Sequence, residues 1–461
     1  MRMDGSQMGC KTVNAANRPS PADRAPQAAC SARPRFRVST MAVYSKYTYH
    51  KSVTSLFLLP DLTIVNTPHP ILIAGGGIGG LAAALVLARD GHAVTVLEQA
   101  ASFGEIGAGI QLGPNIFRMF AWLGLTDAVA KVSFFPAGLG MNDVRTGEKV
   151  VRVPLGDTAR ATYGFPYGVI YRADLHQVFL DACRLQPGIT LRTQAKVESF
   201  EQPQDTVLVR LADGEVLPGA ALIGADGLWS KVRELVVGDG KPRVSGHIAY
   251  RAVLKREDVP AHLWSDDVVL WGGEKTHLVH YPLRRGELFN LVAVFHSDRY
   301  DEGWNTFGDT AELKQLFLGA CPQVQELLGK IDTWKMWVLC DREPVKNWTD
   351  RRVTLLGDAA HPMLQYLAQG AGQAIEDAVV LREALRFCRG DIPAAFLKYQ
   401  QARYLRTGRV QLTARFYGDI YHASGVQREL RNQMFQSGRE SAGFAGLQWM
   451  YDGIEPSKLF Q

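Results

Sequence analysis

The sequence predicts an α/β fold: a parallel sheet flanked by helices, an antiparallel sheet inserted into it, and a helical C-terminus. Three observations carry that expectation. The apolar run Ile71-Leu72-Ile73-Ala74 enters a glycine cluster and then an Ala/Leu-rich stretch. Two later apolar runs, over 221–226 and 353–356, each lead to a carboxylate, Asp226 and Asp358. Between these, residues 267–296 are rich in Val, Leu and aromatics and are broken by glycine-bearing turns. Strands alternating with helices build parallel sheets, whereas closely spaced strands joined by tight turns build antiparallel ones.

The first unit is the most specific. Ile71–Ala74 has the length and character of a buried strand. Gly75-Gly76-Gly77-Ile78-Gly79-Gly80 fits G-x-G-x-x-G with glycines at 75, 77 and 80. A helix is expected over Leu81–Arg89, with Gly91 just past its end. Ala93–Leu97 alternates as a second strand and stops at Glu98, 18 residues beyond the last glycine. Such glycines permit a tight turn and let a pyrophosphate approach a helix N-terminus, while the acid accepts hydrogen bonds from a ribose. A lone glycine motif is weak, but here strand, turn, helix, strand and acid arrive in order within the roughly 30 residues a Rossmann-like unit needs. The fingerprint alone does not separate NAD from FAD.

The two strand-end carboxylates go further. ALIGADGLWSKVR, residues 221–233, is a strand ending in Asp226-Gly227 before a helix start. GDAAHPMLQYLAQGAGQAIEDAVVL, residues 357–381, is a strand end, a polar loop, and a helix opening on Gly370, Ala371 and Gly372. With G-x-G-x-x-G, D-G and G-D in this order, the chain from about Pro70 onward resembles the single-component FAD-dependent aromatic hydroxylases, the p-hydroxybenzoate and salicylate hydroxylase group. The resemblance implies a Rossmann-like FAD-binding domain with an inserted antiparallel-sheet substrate domain. It also implies that Asp358 bonds the ribityl chain of FAD, and that the helix near Gly370 points its amides at the flavin. A helix N-terminus carries about half a positive charge, which suits an anionic reduced ring, and Gly372 is expected to keep a Cβ out of the way. Arg172, in Tyr171-Arg172-Ala173-Asp174-Leu175, matches the family's R-x-D-L segment near the cofactor phosphates. The loop Gly107–Asn115, with Gln111, is similar to one that approaches the flavin ring.

For the substrate side, strands are expected over Asp267–Trp271, Thr276–Arg284 and Leu288–His296, with turns at Gly272-Gly273 and Arg285-Gly286. Residues two and four apart on a strand share a face, so His277, Val279 and Tyr281 point one way, and Leu278, His280 and Pro282 the other. A His and a Tyr on one face could bind and deprotonate a phenol, or form a buried structural pair. The 3-hydroxybenzoate 6-hydroxylases, which this chain resembles, place H-x-x-x-Y on this strand and Gln-Tyr in the loop after G-D-A-A-H-P, where Gln365-Tyr366 stands. That resemblance makes His277, Tyr281 and Gln365 the candidate catalytic residues, with near-neutral tuning of the acid–base pair expected.

Domain boundaries follow: 1–66 a disordered leader or mis-assigned start, 67–245 with 341–390 the discontinuous FAD-binding domain, 246–340 the substrate sheet, and 391–461 the helical C-terminus. Nine of the 51 Lys/Arg and three of the 46 Asp/Glu lie in residues 1–66, so the net charge of +5 belongs to the leader and the rest is one charge negative. Nothing there calls for nucleic acid. The apolar stretch 53–65 is too short, and interrupted by Pro60 and Asp61, to span a membrane. Six cysteines without C-x-x-C spacing imply reduced thiols and no metal site. A cytoplasmic enzyme is expected; the aromatics after Ile392 occupy more than one helix face, which suits either a homodimer surface or a cover for the FAD domain.

No second glycine fingerprint follows a strand, so NADH or NADPH is expected to bind transiently. The resemblance implies hydroxylation of a small phenolic aromatic acid with O₂ through a flavin C4a-hydroperoxide, 3-hydroxybenzoate giving 2,5-dihydroxybenzoate (gentisate). Salicylate 1-monooxygenase, 6-hydroxynicotinate 3-monooxygenase and a non-catalytic FAD-binding redox sensor are the alternatives. 6-Hydroxynicotinate 3-monooxygenases carry His where Gln111 stands.

Overall fold

The computed structural model describes residues 69–104, 107–298, 306–437 and 446–460. The leader expectation lies outside the described residues. A six-stranded sheet runs in the order Thr349–Asp350, Val353–Leu355, Ala221–Gly224, Ile71–Ala74, Val94–Leu97, Ile189–Arg192, parallel throughout except for its first pair. Ile71–Ala74 and Ala221–Gly224 are buried at every residue, as strands covered on both faces must be. Helix Ile78–Arg89 starts three residues earlier than its apolar pattern suggests. Its Gly79 lies where a Cβ would meet Leu356 at 2.8 Å and Ala374 at 3.0 Å, which brings the helix close to Gly370–Phe387. Gly91, at φ +89°, ends it as expected.

The order of this sheet places the site. Ile71–Ala74 has Val94–Leu97 on one side and Ala221–Gly224 on the other, so the chain leaves its carboxyl end in one direction and returns from the other. Open parallel sheets bind ligands at such a reversal. Gly75, Asp226 and Asp358 all follow carboxyl ends at that edge.

The second sheet has eight strands: Thr306–Gly308, Trp334–Asp341, Arg243–Lys255, Leu288–His296, Thr276–Leu283, Val268–Gly273, Gly138–Asp143 and Lys149–Pro154. It is antiparallel apart from Val268–Gly273 beside Gly138–Asp143. Two domain expectations are corrected here. The hairpin over residues 138–154 was assigned to the nucleotide domain but extends the roof sheet, and the boundary at 245/246 falls inside a strand. Neither is legible along the chain, because pairing partners are chosen by tertiary packing. The turn expected at Gly272-Gly273 is also displaced: Gly273 pairs with Thr276, and Glu274-Lys275 make the turn, with Lys275 at φ +56°.

Alternation along Thr276–Leu283 divides the roof's two faces. Leu278 packs outward with Phe289, Leu291 and Trp334; Tyr281 faces inward with Val292, Val294, Leu364 and Tyr366. Helix Ile392–Tyr421, capped by Asp391 accepting from the Ala394 amide at 3.2 Å, opens the helical C-terminus. None of the helices in the described residues is long and apolar enough to cross a membrane.

Candidate active site

The glycine turn is built to stay bare. Gly75 sits at φ +104°, and a Cβ there would lie 2.3 Å from the Ala225 carbonyl oxygen; at Gly80 it would lie 2.0 Å from the carbonyl oxygen of Gly75. Gly77 caps helix Ile78–Arg89 without a side chain. Glu98 accepts from the Gly76 amide (2.8 Å) and the Ala100 amide (2.8 Å), so it fixes the turn while lining the cavity above it. Buried His176 holds the Gly76 carbonyl at 2.8 Å, a support that no motif announces.

A cavity of about 860 Å³ runs from this turn to the underside of the roof sheet. Of the candidate residues, Gly75, Gly77, Glu98, Gln111, Arg172, Asp226, His277, Tyr281, Asp358 and Gln365 line it. Gly80 and Gly372 do not. Gly80 makes its contribution within the turn, and a Cβ on Gly372 would strike Ile116 at 2.4 Å, so this glycine serves helix packing. Gly370 and Ala371 are the helix-start residues on the cavity wall.

The strand-end aspartates differ. Asp226 caps the helix that follows, accepting from the Ser230 hydroxyl, the Lys231 amide (2.8 Å) and the Val232 amide (3.2 Å). Asp358 accepts no protein hydrogen bond among the described residues. It is accessible through the cavity yet enclosed by the body of the protein, and burial raises its pKa against the pull of Arg172 and His361. Its neighbours are instead held by Asp377, whose Oδ2 accepts from the Gly357 amide (2.9 Å) and lies 2.6 Å from His361 Nε2. Arg403 braces Asp377 at 2.6 Å and Glu376 at 2.8 Å.

Residues Gly109–Leu112, expected as part of a loop, form a strand paired with Gly168–Tyr171. Gln111 accepts from the Tyr167 hydroxyl at 2.7 Å. Arg172 opens the helix Arg172–Arg184, and Asp174 pairs with Arg284 at 2.7 Å.

On the roof, His277, Val279 and Tyr281 all face the cavity, as their alternation requires. The expected near-neutral tuning is corrected. Burial first, then His247 and His296, bring His277 down to about 3. Burial raises Tyr281 above the usual phenol range, only partly offset by Arg251 and a Gln111 hydrogen bond. Sequence reasoning missed Arg251, His247, His296 and His422. Arg251 is a half-buried cation on the cavity wall that donates to Gln365 Oε1, and desolvation lowers it to about 10, still charged at neutral pH. Ring nitrogens of His247, His296 and His422 lie within 4.8 Å of one another; His422 bonds His277 and His296, while His247 stacks on His296 and bonds the Tyr366 hydroxyl. They are scattered in sequence, and only the fold brings them together.

Residues 69–410 match the FAD binding domain model. The chain belongs to this FAD-binding family. It is 46% identical over 383 residues to a 3-hydroxybenzoate 6-hydroxylase of Polaromonas naphthalenivorans (strain CJ2), covering 83% of this chain and 95% of that protein. It is 45% identical to 3-hydroxybenzoate 6-hydroxylase 1 of Aquipseudomonas alcaligenes, over 83% of this chain and 97% of that one. Among solved structures, Klebsiella pneumoniae HpxO complexed with FAD and uric acid is 28% identical at a TM-score of 0.74, over 84% of this chain and 98% of that one. A salicylate hydroxylase substrate complex shares the fold (TM-score 0.73, 24% identity) over 85% of this chain and 97% of that one. The chain is thus an FAD-dependent monooxygenase. The residues present fit the cofactor: a side-chain-free turn, a helix start on the wall, and a carboxylate that accepts no hydrogen bond from the described residues.

Proposed function

We propose that this enzyme hydroxylates a phenolic aromatic acid, 3-hydroxybenzoate, at carbon 6 to give 2,5-dihydroxybenzoate, with NADH or NADPH as reductant. One O₂, one NAD(P)H and one proton are consumed; one oxygen atom enters the ring and the other leaves as water. The observation that carries this reading is the placement of His277 and Tyr281 on one face of a strand, across the cavity from Asp358. Bound FAD supplies the oxygen chemistry, and the protein supplies binding, orientation and exclusion of water.

In this reading Gly75, Gly77 and Gly80 admit the pyrophosphate, Glu98 meets the adenosine ribose, and Arg172 and Asp358 meet the phosphate–ribityl region. Asp226 keeps its helix start in place beside them. Gln111 lies beside the ring, and the amides at Gly370 face its pyrimidine edge. Arg251, charged and half-buried, attracts the carboxylate of the acid, while Gln365 orients that guanidinium. His277 accepts the phenol proton and Tyr281 fixes the phenol oxygen. Loss of that proton raises electron density para to the oxygen, and carbon 6 is the para position of 3-hydroxybenzoate. The relatives' names and the Gln365-Tyr366 loop support this acid over salicylate and 6-hydroxynicotinate.

His277→Ala or Tyr281→Phe is expected to lower hydroxylation by on the order of 10²–10⁴, the usual worth of general acid–base catalysis. NAD(P)H oxidation should continue uncoupled, releasing hydrogen peroxide. Catechol and carbon dioxide from salicylate as the preferred reaction, or full coupling in both variants, would refute the reading. A cytoplasmic location fits a nicotinamide reductant. A homodimer fits the exposed Leu405, Leu412 and Phe416 and, on the next helix, Val426, Leu430 and Met434; sedimentation velocity tests it.

A further inference from the structure

Three histidines run in single file from the cavity wall to the surface. His277, on the wall, places Nδ1 2.7 Å from Nε2 of His422. His422, at the end of helix Ile392–Tyr421, places Nδ1 2.9 Å from Nε2 of His296. His277 is 2% exposed and His422 8%, whereas His296, ending its strand, is exposed. A neutral imidazole carries one donor and one acceptor on separate ring nitrogens. Three in file can therefore order themselves: His277 donates from Nδ1 to His422, and His422 donates from Nδ1 to His296. That leaves Nε2 of His277 as a bare acceptor for the cavity and Nδ1–H of His296 as a donor at the surface.

We propose that His422 and His296 relay the proton of the bound phenol from His277 to solvent, and return it once the ring has been oxygenated. The inference rests on the reading above, in which His277 meets the phenol. In the outward step the phenol O–H bond breaks and its proton joins Nε2 of His277. Nδ1 of His277 passes its proton to Nε2 of His422, Nδ1 of His422 to Nε2 of His296, and Nδ1 of His296 to water. One proton leaves and every ring stays neutral in its other tautomer, so His277 now donates from Nε2 to the phenolate. On return, water protonates Nδ1 of His296, the shift reverses, and the product regains its O–H.

The surroundings favour passing a proton over holding one. His422 is depressed well below the ordinary histidine value by burial and by His277, His247 and His296. His247, its ring stacked 4.2 Å from that of His296, falls to about 4 by burial and His296. Other polar groups against the file include the Tyr366 hydroxyl, bonded to His247, Tyr421, whose ring packs on His277 and whose hydroxyl donates to the Tyr366 carbonyl, and Lys275 and Asp419 near His296. Among the described residues no carboxylate bonds His277 or His422, so neither ring has a partner for an imidazolium charge. A base held as low as His277 would return the proton at once unless the file carried it off.

The test mixes holoenzyme with 3-hydroxybenzoate in stopped flow, in weak buffer with a pH indicator, and follows proton release together with single-turnover product. His422→Gln keeps hydrogen-bonding capacity, but an amide does not take a proton on one side while giving one on the other. Its release rate is expected to fall on the order of 10²-fold. His296→Ala, at the exposed end, should slow release by roughly tenfold, restored by added imidazole. Release at the wild-type rate in both variants overturns the relay, as does slowing in His296→Ala that imidazole does not repair. Absence of both proton release and hydroxylation in the wild-type enzyme would overturn the functional reading itself.

Discussion

Asp358→Ala separates what serves the cofactor from what serves the fold. Because the Asp358 carboxylate accepts no protein hydrogen bond among the described residues, its removal breaks none in the apoprotein. Burial, larger than the opposing pull of Arg172 and His361, raises its pKa. A carboxyl raised above its unfolded value of roughly 4 subtracts stability as pH climbs through its folded value, and subtracts nothing below the unfolded one. Apo Asp358→Ala should therefore melt at or above the wild-type temperature at pH 7, the difference fading below about pH 4. The holoenzyme should respond oppositely. In the proposed role as acceptor for the ribityl hydroxyls, losing this carboxylate costs about 1.5–3 kcal/mol, which raises the FAD Kd roughly 10- to 150-fold. Paired melts of apo and holo protein, with a flavin-fluorescence titration, measure both. An apoprotein that melts several degrees lower while binding FAD normally would show that Asp358 only supports its turn.

Other perturbations carry comparable expectations. Gly75→Ala places a Cβ 2.3 Å from a backbone oxygen at φ +104°, so the purified protein should be colourless; stoichiometric flavin in its absorbance spectrum would contradict the cradle. Asp226→Ala removes a helix cap and should cost about 1 kcal/mol of stability, lowering the apo melting temperature that Asp358→Ala leaves intact; the reverse order would exchange their roles. Arg403→Leu should cost about 3–5 kcal/mol in urea unfolding, because buried Asp377 and Glu376 lose the cation they share and keep only His361 and Arg406 beside them. Burial would raise Glu376, but Arg406 and Arg403 hold it at about 2. Its stabilisation is thus present above the unfolded value of roughly 4.3 and lost as pH falls through 2. Acid unfolding of Arg403→Leu should begin nearer pH 4, and an unchanged acid midpoint would refute the assignment.

Much of this architecture could be read locally. Ile71–Ala74, the helix start at Gly370 and the alternation of His277 with Tyr281 are set by periods of two and 3.6 and by glycine placement, which neighbours in sequence determine. What escaped was non-local. Arg251 sits on a strand that reads like any other, and only its pairing with the inward-facing Val292 turns it to the cavity. His247, His296 and His422 come from two separate strands and a helix end. The Gln111 segment was read as a loop because a strand of four residues leaves little periodicity. Gly372 was misplaced for a related reason: a glycine near a helix start signals close approach but not of what, and here Ile116 fills the space.

The open carboxylate of Asp358 depends on charges that touch no ligand. A turn like Gly357–Ala359, with Gly357 at φ +62°, has amide donors that a nearby aspartate would ordinarily satisfy, as Asp226 does in its own turn. Here Asp377, 20 residues on, takes the Gly357 amide and His361. Asp377 and Glu376 are fully buried, a costly state for adjacent carboxylates, and Arg403 and Arg406 from the next helix make it tenable with hydrogen bonds of 2.6–2.8 Å. Burying that cluster frees Asp358 from its own backbone. Arg403 and Arg406 therefore bear on Asp358 without lining the cavity themselves, by holding the charge that leaves one carboxylate unclaimed.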